Sequence, residues 1–234
     1  PRVAFSLCTV GQWPSLWPNS ANTKQSTLEF ADVVRGRRMT RSFSTQPVDS
    51  KLISQIVDLA SRAPSAGKTQ GWHALIITAS DTAKFWDDTL AVEKRESFRW
   101  KQLLDAPVIA LVFADPLAYV ERYSEHDKAH TGLGASAEAW PTPYWTVDAS
   151  FAAMTMLLAA EDAGLGALFF AVFSGEKELR TRLCVPDTLQ LIGAIALGWP
   201  LESDKEDGIS KAIKGASAIR TRRSADQIIH LNGW

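Results

Sequence analysis

The sequence predicts an α+β protein, and three observations point there. Apolar residues recur at helical spacing in some windows and as short continuous runs in others. The two kinds of segment mix without the strict strand–helix–strand rhythm of a doubly wound sheet. The composition, 46% hydrophobic and 22% charged, is that of an ordinary globular chain.

Residues 1–26 read differently from the rest. Val3–Val10 is apolar but short, and Pro14, Pro18 and an Asn/Ser/Thr-rich run follow it. No small-x-small cleavage site follows closely, which weighs against a signal peptide. The expectation is a poorly structured N-terminal extension, followed by a single domain over 27–234. Thr27 is placed to cap a first helix over Leu28–Arg37, with Phe30, Val33 and Val34 on one side. Asp49 caps a second, Ser50–Arg62, which Pro64 stops. Ala74–Thr78 is a β-like run. Asp81–Asp88 starts a helix, and the charged stretch 93–102 continues in helical style.

Val108–Ala114 reads as a buried strand between Pro107 and Pro116. Residues 116–146 form the longest stretch without clear periodicity, the mark of a lid or excursion. Val147–Ala163 is apolar nearly all round, so it is expected to be a central helix, with Gly164 just past its end. Ala167–Phe173 and Leu189–Trp199 are strands around a charged helix, Gly175–Cys184. A C-terminal arm, 205–234, holds a polar linker over Lys205–Gly215 and a strand-like Gln227–Leu231.

Several function classes find no support. A net charge of −1 gives no bulk attraction to nucleic acid or to a membrane surface. No apolar run reaches the roughly 18–20 residues of a membrane span. The two cysteines, Cys8 and Cys184, match no metal or redox spacing, and a reduced, cytoplasmic setting is the simplest expectation. His126 and His130 lack partners at metal-ligand spacing. There is no GxSxG, Walker A or GxGxxG sequence.

Four stretches carry candidate chemistry. Arg37, Arg38 and Arg41 offer planar guanidinium donors suited to phosphate, or else a solvated helix end. Pro64-Ser65-Ala66-Gly67-Lys68-Thr69-Gln70 combines small residues, which let a flat ring approach the backbone, with polar donors; it also reads as a helix-to-strand turn. In the strand Ala167–Phe173, after Gly164-Leu165-Gly166, an exposed strand-end backbone N–H is able to donate to a ring nitrogen; alone it is a core strand. Arg220, Arg222 and Arg223 complete a phosphate site or form a solvated basic tail.

In their order and spacing these stretches resemble the nitroreductase family of FMN-dependent oxidoreductases, over about residues 28–234. Three motifs carry the resemblance: Arg37-Arg38-x-x-Arg41-x-Phe43 with Pro47-Val48 and Ala63-Pro64-Ser65-x-x-x-x-Gln70-x-Trp72; Ala159-Ala160-x-x-Ala163-Gly164-Leu165-Gly166; and Arg222-Arg223 in the tail. The resemblance implies a mostly antiparallel sheet flanked by helices, in an intertwined homodimer with FMN at the subunit interface. It implies that Arg37 and the backbone at Arg38 and Met39 hold the phosphate and ribityl chain, helped by Arg220, Arg222 or Arg223. Arg41 would sit near N1 and O2 of the ring and tune it electrostatically. Pro64, Ser65 and Ala66 would come from the partner subunit, with Lys68 and Gln70 at the ring edge. Phe169 and Phe170 would lead to Ala171, whose backbone N–H would face N5.

NAD(P)H would reduce the flavin and a small electrophilic acceptor would reoxidise it, with no side chain needed as acid or base. Tyr123, Trp140, Tyr144 and Trp145 in and beside 116–146 are the stacking candidates for substrate. Three positions depart from the family pattern: Lys68 replaces a usual Asn, Ala171 an often acidic residue, and Met39 a common Ser. Lys68 adds positive charge, which favours reduced flavin. A flavin-fragmenting enzyme of the dimethylbenzimidazole-synthase kind and a non-catalytic flavin-storage protein are the alternatives.

Overall fold

The computed structural model describes residues 28–201 and 220–234. Four strands form one sheet: β1 (Trp72–Thr78), β2 (Val108–Ala114), β3 (Gly166–Phe170) and β4 (Gln190–Gly198). Their order is β1–β2–β4–β3, and every neighbouring pair is antiparallel. The helices are α1 (Phe30–Gly36), α2 (Ser50–Ala60), α3 (Asp81–Thr89), α4 (Val92–Arg95), α5 (Pro116–Ser124), α6 (Tyr144–Asp162) and α7 (Glu176–Leu183). The architecture is α+β, as the mixed periodicity predicts.

The central strand β2 explains the layering. All seven of its residues are buried, and alternate side chains enter two separate cores. Val108, Ala110, Val112 and Ala114 meet Ile53, Ile56 and Ala60 of α2 and the apolar face of α6. Ile109, Leu111 and Phe113 meet Phe85 and Trp86 of α3 and Leu179 of α7. A strand covered on both faces shows no polar alternation, which is why it reads as a continuous apolar run.

The 19-residue α6 lies against the sheet through Ala149, Ala152, Ala153 and Ala160, whose small side chains let the backbones approach. It ends in a Schellman motif: Leu165 N–H donates to the Ala160 carbonyl at 2.8 Å while Gly164 takes φ +74°. Away from the sheet it exposes Phe151 and Met154, much as α1 exposes Phe30 and Val34 and α2 exposes Leu59.

The structure departs from the expected elements in four places. Residues 116–146 are not an irregular lid: Pro116 opens α5 at a position that tolerates proline, and the Asp115 carboxylate accepts from the N–H groups of Leu117 and Ala118 at 3.0 and 3.3 Å. Short 3₁₀ turns at Ala129–Thr131 and Ala137–Ala139 then lead to α6. The 93–102 stretch breaks into α4 and a 3₁₀ turn at Lys101–Leu103. Strand β3 stops at Phe170, paired with Ala194, beside the bulge where β2 meets β4. The strand-like tail is a 3₁₀ turn at Ala225–Gln227 with a capping box from Ser224, since no described strand lies beside it to pair with. The N-terminal extension and the Lys205–Gly215 linker fall outside the described residues. Cys184, at the end of α7, carries no free thiol, unlike the reduced state expected of it. No described helix is long and apolar enough to cross a membrane.

Candidate functional site

Beyond α1, residues 37–43 run along the open edge of β3. Met39 forms a parallel bridge with Ala167, Thr40 N–H donates to the Ala167 carbonyl at 2.9 Å, and Phe43 bridges Pro200. Arg41, two residues past that bridge, lines one cavity with Phe169, Phe170 and Ala171.

The three arginines separate into different roles. Arg38 Nη1 donates to the carbonyls of Arg35, Gly36 and Arg37 at 2.6, 2.9 and 3.3 Å. It caps the C-terminus of α1, the structural use of a cation at a helix end. Arg41 Nη1 donates to the Met39 carbonyl at 3.0 Å, and its guanidinium carbon stands 5.4 Å from the Trp100 ring centroid. Arg37 Nη1, by contrast, is buried with no hydrogen-bond partner among the described residues. A cationic donor withheld from water and left unpaired is costly, and an anionic acceptor relieves that cost. The Glu161 carboxyl on α6 titrates above its ordinary value because burial outweighs the opposing pull of Arg38 and Arg37.

Beside Arg41 lies a cavity of about 740 Å³, walled by Trp86, Trp100, Phe170, Ala171 and Phe173 among others. Trp86 and Phe170 stack at 5.7 Å with their planes 10° apart. Ala171 is the first residue past β3 and is exposed. Arg41 and the Phe169–Ala171 segment, predicted separately, thus share one flat-walled cavity.

Residues 64–70 do not line that cavity. They form a strained turn with three left-handed residues, Gly67 (φ +62°), Lys68 (+56°) and Gln70 (+55°). A Cβ on Gly67 would stand 2.8 Å from the Tyr123 ring, so glycine is required there on two counts. The turn is tied down from both sides. Asp148 Oδ2 accepts from Ala66 N–H at 2.7 Å and from the Tyr119 hydroxyl at 2.6 Å. Arg122 Nε donates to the Gly67 carbonyl at 3.0 Å, and its Nη1 and Nη2 pair with Asp127 at 2.8 and 2.9 Å. Gln70 N–H donates to Ser65 Oγ at 2.8 Å. Burial, with the bond to Asp148, pushes the Tyr119 hydroxyl well above the ordinary phenol range. Lys68 and Gln70 are exposed, as is Pro64.

The predicted substrate aromatics are placed differently from one another. Trp140 and Trp145 are core residues, each 8% exposed. Tyr123 and Tyr119 pack edge-on to Trp140 at 4.6 and 5.8 Å, and its indole N–H donates to the Leu133 carbonyl at 2.9 Å. Trp145 donates to Gln190 Oε1 at 2.9 Å. Neither offers a free ring face, because a large indole inside a core is covered by its neighbours. Tyr123 is half-buried beneath Gly67, and Tyr144 is exposed. Arg220, Arg222 and Arg223 lie on an exposed tail, where Arg223 bonds the Gln227 carbonyl of its own turn.

Sequence reading missed Asp148, Tyr119 and Arg122. Asp148 had a signal: it is a lone acid within an apolar helical run, and a buried acid is rare unless it is paired.

Fold and site together define a helix-flanked antiparallel sheet whose open edge gathers cations beside an aromatic cavity. The chain belongs to the Nitroreductase family, whose model matches residues 34–199. A 4-nitrobenzoate reductase of Nocardioides sp. is 26% identical over 197 residues, covering 73% of this chain and 80% of the relative. The nitroreductase CinD from Lactococcus lactis, solved with nicotinic acid, superposes with a TM-score of 0.64 at 18% identity, over 87% of this chain and 99% of that one. An FMN complex from Desulfovibrio desulfuricans superposes with a TM-score of 0.58 at 21% identity, over 88% and 97%. At these identities the two structures speak to fold alone.

Proposed function

We propose that the protein is an FMN-dependent oxidoreductase, acting as a homodimer, that passes hydride from NAD(P)H to an electrophilic acceptor such as a nitroaromatic, a quinone or an activated alkene. The observation that carries this reading is the buried, unpartnered Nη1 of Arg37 on the same edge segment as Arg41 and the end of β3. The donor set fits a phosphorylated, flat cofactor. Arg37 supplies the cation for a phosphate, Arg41 a cation for the pyrimidine edge of a ring, and Ala171 a backbone N–H at the cavity wall. When bound, FMN would supply the two-electron chemistry, taking hydride at N5 and giving it to the acceptor.

The chain's own part is positioning and shielding. Trp86, Trp100 and Phe170 make an apolar wall that suits a planar acceptor. Cations at Arg41 and Lys68 favour added negative charge on a nearby ring. The apolar exposures on α1, α2 and α6 are those of a subunit contact. Residues 64–70 lie off this cavity, in keeping with their addressing the partner's cofactor. The Nocardioides relative, by its name a 4-nitrobenzoate reductase, supports the same direction.

Absorbance of the purified protein with added FMN tests the reading. We expect flavin bands that co-elute with a dimer, bleach with NADH or NADPH in the absence of oxygen, and return on adding a nitroaromatic or quinone. A protein that binds no FMN sinks it.

A further inference from the structure

We propose that Asp148 is a positioning residue: through Ala66 and Tyr119 it holds the Pro64–Gln70 turn in the left-handed form that sets Lys68. The proposal rests on the reading above in placing Lys68 near the flavin ring. Asp148 is only 4% exposed, on a helix that is otherwise apolar where it meets the core. A carboxylate there costs free energy unless donors converge on it, and an apolar residue of similar size would serve the fold at least as well. Its Oδ2 receives two donors, at 2.7 Å from the turn and 2.6 Å from Tyr119. The Tyr119 ring lies against Gly71, just past the turn, where a Cβ would stand 2.7 Å from it, and Ser65 Oγ accepts from Gln70 N–H at 2.8 Å. One buried carboxylate is thereby connected to both ends of the turn.

Between those ends sit Gly67, Lys68 and Gln70, all at positive φ. Two of them have a Cβ, so the conformation persists only if its surroundings enforce it. Arg122 reaches the Gly67 carbonyl from a part-buried position, but the Asp127 carboxylate that orients it is exposed, where screening weakens the pair. The buried tether from α6 is therefore the stronger constraint.

Asp148→Ala, Asp148→Asn, Tyr119→Phe, Lys68→Met and the double variant D148A/K68M test this by two readouts. The first needs no flavin: the rate of trypsin cleavage after Lys68 in the purified protein, at matched thermal melting. We expect Asp148→Ala to speed cleavage about tenfold through local opening, and Asp148→Asn, which keeps an acceptor oxygen, to stay near wild type. The second is the midpoint potential of bound FMN. Asp148→Ala should lower it by about 30 mV, a tenfold change in a two-electron equilibrium. The double variant should match Lys68→Met alone, because residues acting through one another are not additive.

Unchanged cleavage and potential in Asp148→Ala, or additive shifts in the double variant, overturn the proposal. If Asp148→Ala does not fold, Tyr119→Phe carries both readouts in the same directions. A wild-type protein that binds no FMN removes the flavin reading, while the cleavage rates still decide whether Asp148 holds the turn.

Discussion

The Arg37–Arg41 segment and the Pro64–Gln70 turn both present cations, yet the fold holds them by different means. The first is fixed by backbone pairing to the edge of β3, and its side chains divide between capping a helix, at Arg38, and a buried Nη1 with no hydrogen bond among the described residues, at Arg37. The second has left-handed backbone and is fixed by side chains of α5 and α6: Asp148, Tyr119, Tyr123 and Arg122. Backbone pairing tolerates most side-chain changes. A turn held by side chains fails when a supporting residue is lost. The two regions should therefore break separately.

The largest expected effect falls behind the second region. Trp140 packs against Tyr119 and Tyr123, which carry the turn. Trp140→Ala should cost about 3–5 kcal/mol of stability, read by chemical denaturation. A change in acceptor affinity with full stability would restore Trp140 as a substrate contact and blur the distinction. Next comes the first region. Arg37→Ala should weaken FMN binding by roughly 10–150-fold, the worth of about 1.5–3 kcal/mol for a hydrogen bond to a charged group, with the melting curve little changed. Arg38→Ala, which loses the helix cap, should instead cost about 0.3–1 kcal/mol of stability and leave FMN affinity near wild type. Fluorescence titration of both variants separates the two roles, and equal losses of affinity would contradict the division.

Gly67→Ala sharpens the contrast from the backbone side. Positive φ and the Tyr123 contact together should cost about 1–3 kcal/mol, again by denaturation, whereas Met39→Ala in the first segment keeps its backbone bridge and should cost less. The smallest effect is the acid dependence of the surface clamp. The Arg122 guanidinium, chiefly by hydrogen bonding, holds the Asp127 carboxyl at about 2 against an ordinary 3.8. A carboxyl held low stabilises the fold above its ordinary value and loses that contribution as pH falls toward 2. The stability gap between wild type and Asp127→Asn should therefore be constant near neutrality and close on acidification below 3.8. A gap that widens toward acid would reverse the sign.

Legibility followed the range of the forces involved. Strand β2 was readable to the residue, because a strand covered on both faces must be apolar throughout. Helix α2 was readable from Asp49, whose carboxylate accepts from Lys51 N–H at 2.9 Å. Gly164 announced the end of α6. Helix α5 was missed because Pro116 reads as a stop when it follows a strand, although it also serves at a helix start. Trp140 and Trp145 read as surface aromatics because prolines and glycines surround them; only the packing of Tyr119 and Tyr123 shows them to be core. The extent of the β3 strand depended on its partner β4, which no local pattern reveals.

The sequence by itself determined the class of fold, the order of the cation-bearing stretches and the family motifs, since periodicity, caps and spacing are local properties of a chain. Tertiary structure alone decided that Arg37 buries an Nη1 with no hydrogen bond among the described residues, which aromatics are walls and which are core, and that an aspartate on α6 bonds a turn 82 residues away. Those outcomes depend on burial and on donors and acceptors brought together from distant segments. Their energies exist only once water has been excluded.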